Sequence, residues 1–321
     1  MSSDSTPNLS ILEIVQQCNS MPSADILIST GNYYRFLFDD SVIGIVSSAD
    51  IAALETACSQ QETSRYPVVF EFNHLEKTLR FSAALSNSES RSDAVAELLA
   101  RMRAEDSWAS LAKWRNELYP IYAPTGDTNR VVAMVERASS YNFGIRTYGV
   151  HINGIVSGSD GVQRMWVGKR AATKQTWPGY LDQIVAGGIG NGMGVRESVI
   201  KECYEEGGIP ESISQGARAA GTIQYFTRSV LGLQPETQYV YDLELPLDFV
   251  PKPTDGEVEE FYLWTIDQVV DNVRRNLFKP NCALCIIDFL IRRGYLTPEN
   301  EPDYIEIIQN IHSALPFPGP K

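Results

Sequence analysis

The stretch IKECYEEGGIP, from Ile200 to Pro210, places three glutamates immediately before two glycines and a proline. Glu202, Glu205 and Glu206 are spaced so that a helix would carry all three carboxylates on one face. These like charges repel one another, and the negative end of the helix dipole disfavours each exposed carboxylate by about 0.3–1 kcal/mol. A bound divalent cation would reverse the repulsion, whereas a solvated acidic face is the simpler interpretation of the same charges.

An apolar stripe and a set of stop signals predict that this stretch ends a helix. Val195, Val199 and Cys203 recur at four-residue steps, and GGIP at residues 207–210 stops the helix. VAGGIGNGMG at residues 185–194 indicates a strand that runs into a glycine-rich turn. The unit is therefore a strand, a glycine-rich turn, a helix, a carboxylate cluster and a glycine stop.

The unit resembles the Nudix box, which is Gly, five residues, Glu, seven residues, Arg-Glu, an apolar residue, any residue, Glu-Glu, any residue, Gly and an apolar residue. With Gly187 as the first glycine, the other matching positions are Glu202, Cys203, Glu205, Glu206, Gly208 and Ile209. The first Glu of the box is Met193 here, and its Arg is Lys201. In the family these two positions brace the loop against the helix, so their joint loss indicates a replaced brace.

Longer stretches resemble the fungal and plant Nudix proteins described as thiamine-pyrophosphokinase-related, over nearly the whole chain. These stretches are WRNELY (114–119), GVHING (149–154), TKQTWPGYLD (173–182), YDLELP (241–246), DGEVEEF (255–261) and FKPNCA (278–283). In that subgroup the N-terminal region is a separate domain of ill-defined role. The resemblance implies that the substrate is thiamine diphosphate, or a damaged or oxidised analogue of it, cleaved to the monophosphate.

The composition argues against several classes of function. Lys+Arg 27 against Asp+Glu 40 gives a net charge of −13, which disfavours nucleic acid or an anionic membrane as a partner. The polar N-terminus MSSDSTPNLS and the lack of long apolar runs predict a soluble cytoplasmic protein. Cys282 and Cys285 form one CxxC inside an apolar helical pattern, which favours core cysteines over zinc or redox chemistry.

The order of the predicted elements indicates an α/β protein of the α+β kind with two domains. Residues 1–122 are predicted to form a smaller α+β N-terminal domain of unclear role, and YAPTGDTNR is the predicted linker. Residues 123–321 are predicted to form the Nudix domain, an α/β/α sandwich in which helices cover a mixed sheet. One hypothesis is that the first domain caps the site, with WRNELY at the interface.

A diphosphate is polyanionic, so a protein this acidic needs a local cation, and Mg²⁺ or Mn²⁺ held by carboxylates would supply one. The resemblance implies that Glu202, Glu205 and Glu206 are catalytic residues that hold the metal. A further carboxylate assists in this family from a loop before a late strand, and DGEVEEF occupies that place. Glu257 is the first choice as a base or extra ligand and Glu260 the second, the alternative being plain loop charges.

Five further residues are predicted to bind the substrate. Gly187 and Gly188 would let the backbone approach the phosphates, although any tight turn uses glycines. Arg170 and Lys174 would pair with the terminal phosphate, and Trp177 would stack on a ring of the organic group. The alternative roles are solvated cations and a core tryptophan.

Other functions and partners stay open at this point. A hydrolase of prenyl diphosphates or of nucleoside-diphosphate derivatives would carry the same box, because the box recognises the diphosphate and leaves the rest to loops. A non-catalytic module that binds a diphosphate is favoured by Met193 and Lys201. The expected partner is a small organic diphosphate, and a homodimer is the other open possibility.

Overall fold

The computed structural model describes residues 8–60, 65–125 and 130–320. Part of the predicted linker, residues 126–129, lies outside these ranges. The strands of the described residues form sheets of four, seven and two strands. Within the same residues no helix combines the length and the apolar character that a membrane span requires.

A four-stranded mixed sheet follows two short helices, α1 (Ile11–Cys18) and α2 (Ala24–Ser29). Its strands and covering helices are β1 (Tyr33–Phe38), β2 (Ser41–Ser47), α3 (Ser48–Ser59), β3 (Phe70–Asn73), β4 (Thr78–Phe81) and α4 (Ser88–Ala104). The strand order is β2-β1-β4-β3, and β1 pairs with β4 in parallel. Phe36 and Leu79 of the sheet meet Leu54 of α3 and Leu98 of α4 in one core.

A hairpin of β5 (Leu118–Tyr122) and β6 (Val131–Glu136) follows α4. The predicted domain boundary after residue 122 falls inside this hairpin. Strand β6 packs on α4, and its Val132 and Val135 belong to the N-terminal core. The short helix α5 (Ser140–Phe143) then leads into the second sheet.

The seven-stranded sheet carries the glycine-rich turn and the acidic helix. Its strands are β7 (Thr147–Ser157), β8 (Gln163–Arg170), β9 (Leu181–Gln183), β10 (Val185–Gly188), β11 (Arg218–Ser229), β12 (Gly232–Glu244) and β13 (Val258–Thr265). The order is β11-β12-β7-β8-β13, with β10 paired to β7 and β9 to β8. Strands β7 and β12 are parallel, so the sheet is mixed. The stretch YLDQIVAGG forms two strands, β9 and β10, because its halves pair with different neighbours.

Helices cover both faces of this sheet. They are α6 (Val195–Gly207), α7 (Glu211–Ser214), α8 (Ile266–Arg274), α9 (Pro280–Arg292) and α10 (Tyr304–Ile311). Neighbouring residues of β8 point to opposite faces: Trp166 shares a core with Val199 of α6, and Val167 shares one with Cys282 of α9. The arrangement confirms the predicted α/β class with a mixed sheet between helices.

Helix α1 belongs to the core of the second sheet, although it stands at the start of the chain. Ile11, Ile14, Val15 and Cys18 are all buried and pack in the same core as α8, α9 and α10. Residues 11–18 therefore join the second structural unit and not the four-stranded sheet that follows them in sequence.

Candidate active site

Helix α6 presents the three glutamates of the opening stretch. It ends at Gly207 and is capped by Gly208, whose φ of 59° lies in the left-handed region that favours glycine. Val199 and Cys203 point into the core and fix the rotation of the helix. The acidic residues are thereby left on the face that lies over β10 and the loop before β13.

Two of these glutamates, Glu202 and Glu206, contact strand β10. Glu206 is partly buried, and its carboxylate accepts a hydrogen bond from the Ala186 N–H at 2.8 Å. Burial raises the pKa of Glu206 well above its usual range, and the nearby Asp182 raises it further. Glu202 occupies the space beside Gly187, since a Cβ on that glycine would lie 2.3 Å from Glu202 Cδ. The glycine therefore makes room for a carboxylate.

The loop before β13 brings two further carboxylates to Glu206. One oxygen atom each of Glu206, Asp255 and Glu257 lies within 4.8 Å of the other two. Asp255 accepts the Glu257 N–H at 2.8 Å, which fixes the loop. Burial alone would raise the pKa of Glu257, but the adjacent Lys174 ammonium brings it below its usual range. Sequence reasoning missed Asp255; the available signal was its place two residues before Glu257 in DGEVEEF.

Lys201, one of the two departures from the box, binds the acidic face itself. Its Nζ lies 3.0 Å from Glu202 Oε1 and 2.8 Å from Glu205 Oε2. Met193, the other departure, lies in the glycine-rich turn, where its N–H donates to the Gly190 carbonyl at 3.4 Å. The lysine therefore neutralises part of the charge on the helix.

The two predicted phosphate-binding cations are engaged by other groups of the protein. Arg170 is buried; its guanidinium donates to Asp182 at 2.7 Å and to two carbonyl oxygens of the loop before β9. Lys174 forms an ion pair with Glu257. Both side chains reach the cavity described below, and their contact with a phosphate stays a prediction.

The structure does not bring Trp177 or Glu260 to this site. The Trp177 side chain is 42% exposed, and its ring packs edge-on against Tyr180 with 5.0 Å between the centroids. Glu260 accepts hydrogen bonds from Lys169 and Tyr262 on the outer part of β13. Neither residue lines the cavity.

A cavity of about 400 Å³ opens over the carboxylates. Seven acidic residues line it: Glu117, Glu202, Glu205, Glu206, Glu236, Asp255 and Glu257. Four lining residues come from the N-terminal part of the chain, namely Arg115, Glu117, Tyr119 and Arg137. Gly187 and Gly188 line the same cavity, and their contact with phosphate stays a prediction. The cavity thus joins the acidic helix to the hairpin that follows α4.

Two families of known sequences match this chain. Residues 147–281 match the family described as NUDIX domain, and residues 10–147 match the family described as Domain of unknown function (DUF4743). Nudix hydrolase 24, chloroplastic, of Arabidopsis thaliana is 34% identical over 311 residues, which cover 94% of this chain and 78% of that protein. The chain belongs to the Nudix hydrolase family. The membership confirms the prediction of a hydrolase that acts on diphosphate bonds.

One further protein is similar to this Nudix hydrolase over nearly its whole length, and two solved structures are similar to about half of it. Uncharacterized protein YJR142W of Saccharomyces cerevisiae is 37% identical over 334 residues, covering 98% of this chain and 94% of that protein. Among solved structures, DR0079 from Deinococcus radiodurans is 19% identical, with 56% of this chain and 100% of that chain covered and a TM-score of 0.38. A C. elegans Ap4A hydrolase in a binary complex is 9% identical, covering 47% and 99%, with a TM-score of 0.36.

Two further cations, Lys279 and Arg115, line the Nudix hydrolase cavity. Lys279 immediately precedes α9, and Arg115 precedes β5. Within the described ranges, neither the Lys279 ammonium nor the Arg115 guanidinium has a hydrogen-bond or ion-pair partner. The sequence offered a signal for Lys279, because this residue belongs to the stretch FKPNCA that carries the family resemblance. These two side chains are available to an anionic ligand.

Another part of the cavity presents hydrogen-bond acceptors. The Tyr225 hydroxyl donates to the Glu236 carboxylate and accepts from Asn281 Nδ2 at 3.0 Å and Gln238 Nε2 at 3.4 Å. Because this network fixes the amide of Gln238, its Oε1 is left buried without a hydrogen-bond partner. Glu236, Gln238 and Asn281 line this part of the cavity, and the Glu236 carboxylate is the acceptor there that a ligand with hydrogen-bond donors would use.

Proposed function

We propose that this protein hydrolyses a small organic diphosphate with Mg²⁺ or Mn²⁺ held by its carboxylates. The observation that carries the proposal is the close approach of Glu206, Asp255 and Glu257 within 4.8 Å. Among the described side chains, no Lys or Arg forms an ion pair with Glu206 or Asp255, although carboxylates so close repel. Carboxylate oxygens suit hard divalent cations, so the residues fit the metal, and Glu202 and Glu205 would complete the ligand set.

The chain's own residues would orient the diphosphate. A bound cation of this kind neutralises phosphoryl oxygens and acidifies a bound water. Lys279 and Arg115 have N–H donors to spare and would bind the phosphate oxygens that face away from the carboxylates. Glu257 pairs with Lys174, which keeps its carboxylate ionised and makes it a better ligand than a proton acceptor.

The organic group is proposed to be thiamine or a damaged or oxidised form of it. The Glu236 carboxylate in the cavity lining favours a ligand with N–H donors, such as the exocyclic amino group of an aminopyrimidine. A prenyl chain has no such donor, and most of the side chains that line the cavity are polar or charged. The bases of nucleoside diphosphates also carry N–H donors, so these compounds are the competing substrates.

A panel of diphosphates tests the proposed function. We expect monophosphate release from thiamine or oxythiamine diphosphate with Mg²⁺ or Mn²⁺, none with EDTA, and none from geranyl diphosphate. Faster turnover of ADP-ribose than of either thiamine compound would replace the proposed substrate with a nucleoside derivative. Tight binding of one compound without any turnover would mean a non-catalytic diphosphate-binding module.

Replacing Lys279 with Gln is expected to raise the KM for the diphosphate about tenfold, with a smaller change in kcat, because one charge-assisted hydrogen bond to phosphate is lost. Initial rates over a range of substrate concentration measure both constants. Lys252→Gln is the matched control, since Lys252 is exposed and lies outside the cavity. Equal KM values for the two variants would remove Lys279 from the phosphate site.

A further inference from the structure

The β5–β6 hairpin, which lies in the region matching the domain of unknown function, contacts the glycine-rich turn before α6. The Asn191 N–H in this turn donates to the Leu118 carbonyl of β5 at 3.0 Å. Glu117 Oε1 lies 3.3 Å from the point at which Gly190 would carry a Cβ. The turn is therefore held by a backbone hydrogen bond to β5, and the Glu117 side chain lies beside it.

Three side chains of the hairpin region also hold one another. Arg137 forms an ion pair with Glu117 at 2.7 Å, and its guanidinium lies 5.3 Å from the centre of the Tyr119 ring. The Tyr119 hydroxyl fills the space beside Gly188, 2.3 Å from the point at which a Cβ would stand. The set of Glu117, Tyr119 and Arg137 thus contacts both the end of β10 and the turn that follows it.

The turn needs such support because of its composition. Residues 189–194 read IGNGMG, and three of the six are glycines, which lose the most conformational freedom when they become ordered. Gly192 has a φ of 79°, a conformation that most residues avoid. Lys201 pairs with Glu202 and Glu205 and not with the turn. The first turn of α6 holds Gly194, and the hydrogen bonds of Ile189 and Asn191 go to β7 and to the hairpin.

We propose that the β5–β6 hairpin is a positioning element of the active site. Glu117, Tyr119 and Arg137 hold the glycine-rich turn, and through it the start of α6 and its carboxylates, in register with β10. The segment before β5 adds Arg115 to the cavity wall. This inference rests on the proposed function, because the site that the turn positions is the proposed diphosphate site.

A contact that only stabilises the fold and a contact that positions the turn have different effects on kcat when they are broken. If the hairpin only stabilised the fold, a break in the contact would lower the melting temperature and leave kcat per folded molecule unchanged. If it positions the turn, kcat falls while the protein stays folded, because a displacement of about 1 Å at an active site costs up to about 100-fold in rate.

Arg137→Gln in the full chain tests the inference. We expect kcat to fall about tenfold, with KM within about threefold, because the carboxylates shift and the substrate contacts remain. Arg137→Lys, which keeps the charge over the Tyr119 ring, should recover most of the rate. Arg164→Gln is the matched control: the Arg164 pair with Asp160 is also 2.7 Å long but lies outside the cavity.

Amide hydrogen exchange gives a second readout that needs no substrate. The Asn191 amide should exchange about tenfold faster in Arg137→Gln than in the unmodified protein, and should be unchanged in Arg164→Gln. Equal kcat and equal Asn191 exchange in the two variants would overturn the inference. If no diphosphate in the panel is turned over, the proposed function fails, and the Asn191 exchange rate alone decides whether the hairpin holds the turn.

Discussion

Glu206→Gln is expected to lower kcat/KM for the diphosphate by at least about 100-fold, the largest effect on activity that we predict. The amide keeps the shape of the side chain and can still accept the Ala186 N–H at the back of the site. It removes the negative charge at the point where Asp255 and Glu257 come within 4.8 Å, so the proposed cation loses a ligand. Monophosphate release and Mn²⁺ binding by calorimetry measure the two losses.

The same substitution should not destabilise the protein when divalent cations are absent. Glu206 is a partly buried carboxylate among other carboxylates, and a neutral amide relieves that repulsion. Glu211→Gln, an exposed acid on α7, is the control for a loss of charge that leaves the site intact. Retention of more than about a tenth of the activity by Glu206→Gln would contradict the proposed metal site.

The parts of this fold that sequence predicts well are those with a strong local signal. Helix α6 has an apolar stripe and a glycine stop, and both strands of the first hairpin, β1 and β2, carry runs of apolar residues. The acidic cluster of α6 also follows from spacing alone, because helical geometry places residues three and four apart on one face. Hydrogen bonds and packing within a few residues determine these features.

The remainder depends on contacts between residues far apart in the chain, which no local pattern records. Arg170 was predicted from sequence to pair with a phosphate, but its guanidinium is buried in an ion pair with Asp182 of the neighbouring strand β9. Asp255 joins the site only because its loop folds onto α6, about 50 residues earlier. The contact of the hairpin with the site is also long-range. Tyr119 and Gly188 lie in regions that match two different families, and only the fold brings them together.

Ile14→Ala should lower the free energy of unfolding by about 3 kcal/mol, the largest effect on stability that we predict. Ile14 is 1% exposed and packs in the core of α9 and the seven-stranded sheet, even though it stands near the start of the chain. Loss of its side chain leaves a cavity between α1 and that core. Urea unfolding followed by circular dichroism measures the change, since this helical core melts with the domain.

Ile305→Ala is the matched control, because Ile305 lies on α10 but is 72% exposed, and we expect a change within about 0.5 kcal/mol.

A chain that begins at residue 123 should fail to fold, because it lacks α1, which fills the core of the second sheet, and also β5, the partner of β6. A soluble, cooperatively unfolding protein from residues 123–321, together with a small effect of Ile14→Ala, would show that the Nudix unit is complete without α1. The hairpin proposal makes a separate prediction for such a chain: if it folds, its kcat is low, because the turn before α6 has no β5 to hold it.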